Sequence, residues 1–297
     1  MSTSPPHGPS DDARGTLLLV SAAALWSING LLIKWLYDGG MSGLSIAGIR
    51  SLVAAVFLLP FALRRWRPIA EPGWTAATVL MFTGMCATFV VATTLTTAAN
   101  AIILQYTAPA WVFLLSPWIV RERAEPAQWL AFAVSMAAVA LIFGAQYTAD
   151  SVGLLVGIAS GVVFGTQVVF FRRVRDLDPV VLAFLSCAGS ALLLTPIALA
   201  VSGWQVTLHT GLLVTLAGVV QFGLPYVLYA AGVRHASAQR AVLIIMLEPV
   251  LNPIWVFLVI GERPHWSTII GGGLIVLSVG FLAMKRSRPV ARVTGGE

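Results

Sequence analysis

The chain has 297 residues, of which 58% are apolar and only 10% charged, and its mean hydropathy is +0.88. A soluble domain carries about 25% charged residues, so the composition excludes a water-soluble globular enzyme. The net charge of +6 and the pI near 9.9 are not a nucleic-acid footprint, because the basic residues gather in short loops between apolar runs.

Residues 1–14, "MSTSPPHGPSDDAR", are Pro/Ser-rich and read as a disordered cytoplasmic tail. They lack the basic and apolar regions of a cleavable signal, so the first span is expected to stay as an anchor. Ten apolar runs follow, at 15–36, 44–63, 74–93, 99–120, 127–145, 152–171, 179–200, 210–231, 240–260 and 266–284. Each is long enough to cross a hydrocarbon core about 30 Å thick. The linkers between them leave no room for a soluble catalytic domain. Residues 285–297 form a basic cytoplasmic tail.

Taken in order, the first span carries Asn29 and ends near Lys34. The second holds Arg50, a base deep in a span. Cys86 in the third and Cys187 in the seventh read as buried thiols acting as small core hydrophobes, not as a disulfide. The fourth carries Gln105, Tyr106, Pro109, Trp111 and Pro117. The sixth holds Gln167, and the eighth holds Gln221, Pro225 and Tyr226. In the ninth, Glu248 precedes Pro249, with Asn252 one turn on and Pro253 beyond. "GGGL" from Gly271 in the tenth suits close backbone packing.

With the N-terminus in the cytoplasm, fifteen of the eighteen Lys and Arg residues face inward. Only Lys34 and Arg263 face outward, and Arg50 lies within the membrane. The positive-inside bias therefore places both termini in the cytoplasm.

The chain repeats itself. "NAIILQYTAPAWVFLLSPWIVRER" from Asn100 matches "RAVLIIMLEPVLNPIWVFLVIGER" from Arg240, pairing Pro109 with Pro249 and Glu122 with Glu262. "WSINGLLIK" from Trp26 echoes "FGTQVVFFR" from Phe164, so Asn29 corresponds to Gln167 and Lys34 to Arg172. The two units, 15–145 and 146–284, have five spans each. An odd number forces the second copy upside down. The expected fold is thus an all-α integral membrane protein of ten transmembrane helices in two inverted five-helix repeats, an architecture frequent among secondary transporters.

Proline inside a span removes a backbone hydrogen bond and kinks the helix. Paired breaks at Pro109 and Pro249, in corresponding spans, point to a site near the midplane; Pro117, Pro225 and Pro253 add further expected breaks. Glu248 is the one acid deep in a span, about 13 Å from the cytoplasmic start of its helix. An ionised group at that depth must be paired, hydrated or protonated. It either contacts a cationic group of the substrate, exchanges protons, or ties helices together, with Arg50 as a candidate partner. Arg50 in turn either binds a substrate carboxylate or braces the fold. Asn29, Gln167, Gln105, Tyr106, Gln221, Tyr226 and Asn252 are polar candidates for the same cavity, and each also suits interhelical hydrogen bonding. Trp26, Trp111, Phe164 and Trp255 line a cavity wall or pack the bundle. Trp74, Trp118, Trp129 and Trp266 read as interfacial belt residues.

These residues resemble the drug/metabolite transporter superfamily, and specifically its ten-span EamA-domain proteins. The likeness rests on the duplicated five-span unit and on two copies of a proline-broken span ending in an acid, Pro109 to Glu122 and Glu248 to Glu262. "YVLYAAGVRHASAQRAVLIIMLEP" from Tyr226 looks like the family's second-half signature. The first copy departs by having Ala108 where the second has Glu248. The resemblance implies a basket of ten helices around a cavity lined by the first four spans of each half. It implies movement of small metabolites by alternating access, and no shared substrate code.

No HExxH motif, no paired Asp within spans and no GxxxxGK[ST] segment is present, and the four histidines lie in the tail or near span ends. The chain is therefore not expected to be an enzyme or to carry a metal or cofactor. The expectation is an inner-membrane secondary transporter, acting as a monomer on a small-molecule substrate. Export of neutral amino acids, aromatic ones among them, ranks first because one deep acid and one deep base match a zwitterion. Efflux of hydrophobic cations ranks second, and a channel or a non-transporting receptor stands as the reading from another class.

Overall fold

A computed structural model describes residues 9–119, 126–203, 205–236 and 238–285. Residues 1–8 of the leading tail, Arg121 to Arg123 at the end of the fourth span, and most of the trailing basic tail lie outside the described residues. The chain is built of helices, with no strand among the described residues. Among the described residues, nine segments are long and apolar enough to cross a membrane: Ala13–Asp38, Gly43–Leu63, Pro72–Leu95, Ala98–Ile119, Trp129–Gln146, Ser151–Phe171, Pro179–Ser202, Leu208–Gly232 and Leu243–Ile260. Trp266–Phe281 is a shorter apolar helix that completes the ten. The first helix starts at Pro9, so residues 9–14 continue it rather than stand apart as tail.

Between the fifth and sixth spans the backbone stays helical from Pro126 to Phe171, 46 residues. Laid straight, that would measure about 69 Å, twice the width of a hydrocarbon core. It is folded back instead. Phe132 packs edge-on to Trp111 with ring centroids 6.4 Å apart, while Gly165 lies against the same Trp111 from the other span. At the opposite end, Gln146 bonds Asn100 and Gly153 abuts Thr96. The reversal therefore falls between Gln146 and Gly153.

Without water to expel, helices in lipid associate through close backbone approach and hydrogen bonds. Glycines mark those approaches here. A Cβ on Gly48 of the second span would meet the backbone of Thr195 in the seventh. Gly84 of the third faces Val163 of the sixth, and Gly232 of the eighth faces Leu19 of the first. Gly157 of the sixth faces Leu104 of the fourth, and Gly30 of the first faces Asn252 of the ninth. Gly218 of the eighth faces Val53 of the second, and Gly189 of the seventh faces Val79 of the third. Exchanging the halves, span for span, converts each contact into another of the set and returns the second–seventh contact to itself. This is the signature of a two-fold pseudo-axis passing between the second and seventh spans. Gly271 and Gly272 seat the tenth span on Ile142 and Ile103, as "GGGL" suggested.

The sixth span carries a stripe of glycines. Gly153, Gly157, Gly161 and Gly165 recur every four residues, and all four face the fourth span or the residues leading into it. Leu192, Val201, Leu277 and Trp118 are among the large apolar side chains left exposed on the outside of the bundle, where lipid is their solvent.

Candidate functional site

Three spans are broken in mid-course. The first divides into Pro9–Ser27 and Asn29–Asp38, the fourth into Ala98–Gln105 and Ala108–Ile119, and the ninth into Ala238–Ile245 and Leu247–Ile260. The residues at the breaks, Ile28, Tyr106 and Met246, all have ψ within about 10° of zero, where the helical hydrogen-bond register is lost. Tyr106 and Met246 correspond in the repeat. Each break comes just before its proline, since Pro109 and Pro249 sit in the first turn of the following half-helix, where a missing N–H does least harm. Pro117 and Pro253, expected to break their spans as well, lie inside continuous helices. Each costs a hydrogen bond there but does not end the helix. Pro225 follows a π-helical segment, Ala217–Gly223, and opens the α-helix Leu224–Gly232. Such widened turns inside helices are frequent at functional sites.

The breaks in the fourth and ninth spans meet. The hydroxyl of Tyr106 donates to Oε2 of Glu248 at 2.8 Å, with the carbonyl of Ile245 at 3.4 Å as its alternative acceptor. That carbonyl is the one Pro249 leaves without a helical donor. Tyr106 of one repeat thus answers both the acid and the orphaned carbonyl of the other.

The break in the first span has no proline. It is held by side chains: Ser27 donates to the carbonyl of Ala24 at 2.7 Å and accepts from the indole of Trp255 at 2.9 Å. Next to it, Nη1 of Arg50 donates to Oδ1 of Asn29 at 2.6 Å. Arg50 is 1% exposed, and its guanidinium lies 4.2 Å above the centre of the Phe222 ring on the π-helical segment. Cys86 lies against it. Nε of Arg50 has no partner, and no carboxylate among the described residues forms an ion pair with it. An amide oxygen, a thiol and an aromatic face are weak compensation for a buried cation.

Arg50 and Glu248, considered as a pair in the sequence, are therefore not joined. Tyr226 stands in the electrostatic reach of both. It belongs to an aromatic cluster, with Trp26 at 5.2 Å, Phe222 at 5.8 Å and Phe82 at 6.3 Å between ring centroids. Asn252, fully buried against Gly30, and Gln221, fully buried on the π-helical segment, have no hydrogen-bond partner among the described residues for either atom of their amides. Buried amides without such partners are rare and costly.

The remaining candidates are placed differently. Gln105 donates to Ser160 at 3.2 Å, tying the fourth span to the sixth. Trp111 donates to Thr107 at 3.2 Å and packs on Phe132 and Gly165, toward the fifth and sixth spans. Gln167, the repeat counterpart of Asn29, is half-buried with Oε1 unpartnered. Cys86 and Cys187 are free and buried. Phe82 and Phe222 escaped notice in the sequence because an aromatic residue in an apolar span has no local mark of function. Gln221 was already a polar candidate in the sequence, and it lies amid Gly218, Gly223 and Pro225 in one span.

No group of three or more potential metal ligands occurs among the described residues. The assembly offers a buried guanidinium, a separate carboxylate, unpartnered amides and aromatic faces, all at the breaks or beside them.

Comparison with known proteins agrees with this architecture. The chain matches the EamA-like transporter family twice, over residues 13–144 and 151–284. A protein named "Uncharacterized transporter" from Archaeoglobus fulgidus is 27% identical over 270 residues, covering 89% of this chain and 94% of its own. Another of that name from Clostridium kluyveri is 21% identical over 304 residues, covering 94% and 97%. A solved crystal structure with 22% identity superimposes with a TM-score of 0.63 over 92% of this chain and 99% of that one. It supports the fold.

Proposed function

The chain belongs to the EamA-like transporter family and is a multi-pass membrane transporter; from that premise we propose that it exports neutral amino acids, aromatic ones included, by alternating access. The observation that carries this reading is the separation of Arg50 from Glu248. Each is held by neutral groups, Asn29 and Phe222 for the base and Tyr106 for the acid. A zwitterion has one charge for each of them. The aromatic cluster around Tyr226 suits an apolar or aromatic side chain, and Asn252 and Gln221 supply polar contacts. The working form is a monomer in a bacterial inner membrane, with both termini in the cytoplasm as the arginine distribution indicates. Efflux of hydrophobic cations is the second reading, favoured by Glu248 and the aromatic faces and disfavoured by the uncompensated charge of Arg50.

The test is counterflow of labelled aromatic, branched and hydroxylated amino acids into proteoliposomes. The native protein will take them up, and Glu248→Gln will take them up about tenfold more slowly, the scale of one hydrogen bond to a charged group. Tyr106→Phe will lose less, because the acid remains. Uptake that depends on pH in the native protein and not in Glu248→Gln would make Glu248 the proton-coupling group. Native-like uptake by Glu248→Gln would reduce it to a helix tie. Absence of amino-acid uptake, with uptake of lipophilic cations, would transfer the assignment to the second reading.

The breaks themselves are open to trial. Pro109→Ala with Pro249→Ala restores a donor to each carbonyl left open and favours continuous helices. The double variant will insert normally but transport several-fold more slowly. An unchanged rate would remove the broken helices from the mechanism.

A further inference from the structure

On one face of the bundle, Nζ of Lys34 meets Oε2 of Glu262 at 2.9 Å and donates to the carbonyl of Thr96 at 2.8 Å. The other carboxylate oxygen of Glu262 accepts from the backbone N–H of Ala98 at 2.7 Å. Gly261, at φ +81°, ends the ninth-span helix and turns the chain so that Glu262 points back across the face. Ala98 is the first residue of the half-helix Ala98–Gln105, whose N-terminus favours a carboxylate. Both charged side chains are largely shielded, 17% and 20% exposed.

What these two residues join is specific. Lys34 lies on Asn29–Asp38, Glu262 follows Leu247–Ile260 after the single residue Gly261, and Ala98 opens Ala98–Gln105. Those are the three half-helices that lie between this face and the breaks at Ile28, Met246 and Tyr106. Each break frees its half-helix to tilt without moving the rest of its span. The ion pair therefore fastens the outer halves of the first and ninth spans to each other and, through Ala98 and Thr96, to the start of the fourth. The fourth-span half-helix is held a second way. Its Asn100 bonds Gln146 and Thr268, and Gln146 bonds Ser267 and Thr268, which anchors that half-helix to the fifth and tenth spans and makes it a fixed post.

The geometry points to Lys34 and Glu262 as the lock of a gate, closed in this structure, made of the outer halves of the first and ninth spans shut against the start of the fourth. This rests on the reading of the protein as an alternating-access carrier. Opening breaks the ion pair and the Ala98 hydrogen bond together and leaves both charges to water. Closing remakes them, and the two arrangements differ by a small number of strong, partly shielded contacts.

Spin labels at Tyr37→Cys and Arg263→Cys, both exposed positions, in a Cys86→Ser/Cys187→Ser background would report the separation across this face. The native lock should give one dominant short distance. Glu262→Gln and Lys34→Gln should each raise the ratio of long to short distances roughly tenfold, the scale of one partly buried ion pair. The exchange Lys34→Glu with Glu262→Lys should restore much of the short distance. An unchanged distribution in both single variants would make the pair a static brace and overturn the proposal. So would failure of both single variants to insert while the exchanged variant inserts. Counterflow on the same samples separates the two claims. A distance response without transport of any solute would sink the carrier reading, whereas transport without a distance response would sink the lock.

Discussion

Arg50→Gln will lower amino-acid counterflow, as kcat/KM, by about 30-fold or more while leaving the protein folded. Truncating one partner of a buried hydrogen-bonded charge pair costs about 2–5 kcal/mol, and 2 kcal/mol is roughly a 30-fold change. The reasoning turns on what Arg50 lacks. It is 1% exposed, holds Asn29 through one nitrogen and covers Phe222, yet no carboxylate pairs with it among the described residues. A structural arginine at this depth would be expected to have its acid beside it. If the counter-charge arrives with the substrate, removing the guanidinium removes substrate binding. Folding then loses one hydrogen bond and one ring contact and is relieved of a buried charge. The melting temperature in detergent should move by no more than a few degrees. Arg50→Lys keeps the charge but not the planar fork and should fall between native and Gln. Preserved counterflow with a collapsed melting temperature would show that Arg50 is a brace.

Gly161→Leu will destabilise the bundle by about 3 kcal/mol or more, read as a melting temperature lower by roughly 10 °C. Even the first carbon of a side chain at 161 would collide with the Thr107 hydroxyl and come to 2.6 Å from the carbonyl of Leu104. That carbonyl is backbone and already accepts from Thr107 at 2.6 Å, so it has little freedom to yield. The fourth span would have to move away at its break, beside Tyr106. Gly273→Ala is the matched comparison: nothing lies near its added carbon, and alanine is the better helix former. It should melt at or slightly above the native temperature. Equal melting of Gly161→Leu and the native protein would mean that the fourth and sixth spans are not packed as described.

The ten spans and their duplication were legible because lipid imposes a length and an apolar composition on any crossing helix, and both are written residue by residue. The paired prolines were legible for the same local reason, although the breaks fall at Tyr106 and Met246, just ahead of them. Ile28 gave no warning. Its break is made by Ser27, Trp255 and the Asn29–Arg50 bond, which come from three different spans. Glu248 and Arg50 announced themselves as ionisable groups where solvent is absent. The apparent invitation to pair them was a matter of charge alone, and the fold instead gives Glu248 to Tyr106. The sixth-span glycines were visible as a four-residue period, but their meaning depends on which helix lies against them.

The sequence by itself determined the solvent, the number of crossings, the inversion of the second half and the deep charges, since each follows from polarity and period along one strand of chain. Only the tertiary structure decided which polar groups meet. It set Tyr106 on Glu248, gave Asn252 and Gln221 no hydrogen-bond partner among the described residues, and paired Lys34 with Glu262 across more than two hundred residues. A polar atom in a membrane is satisfied by whatever neighbour packing brings within about 3 Å, and that neighbour is chosen by the whole bundle, not by any stretch of it.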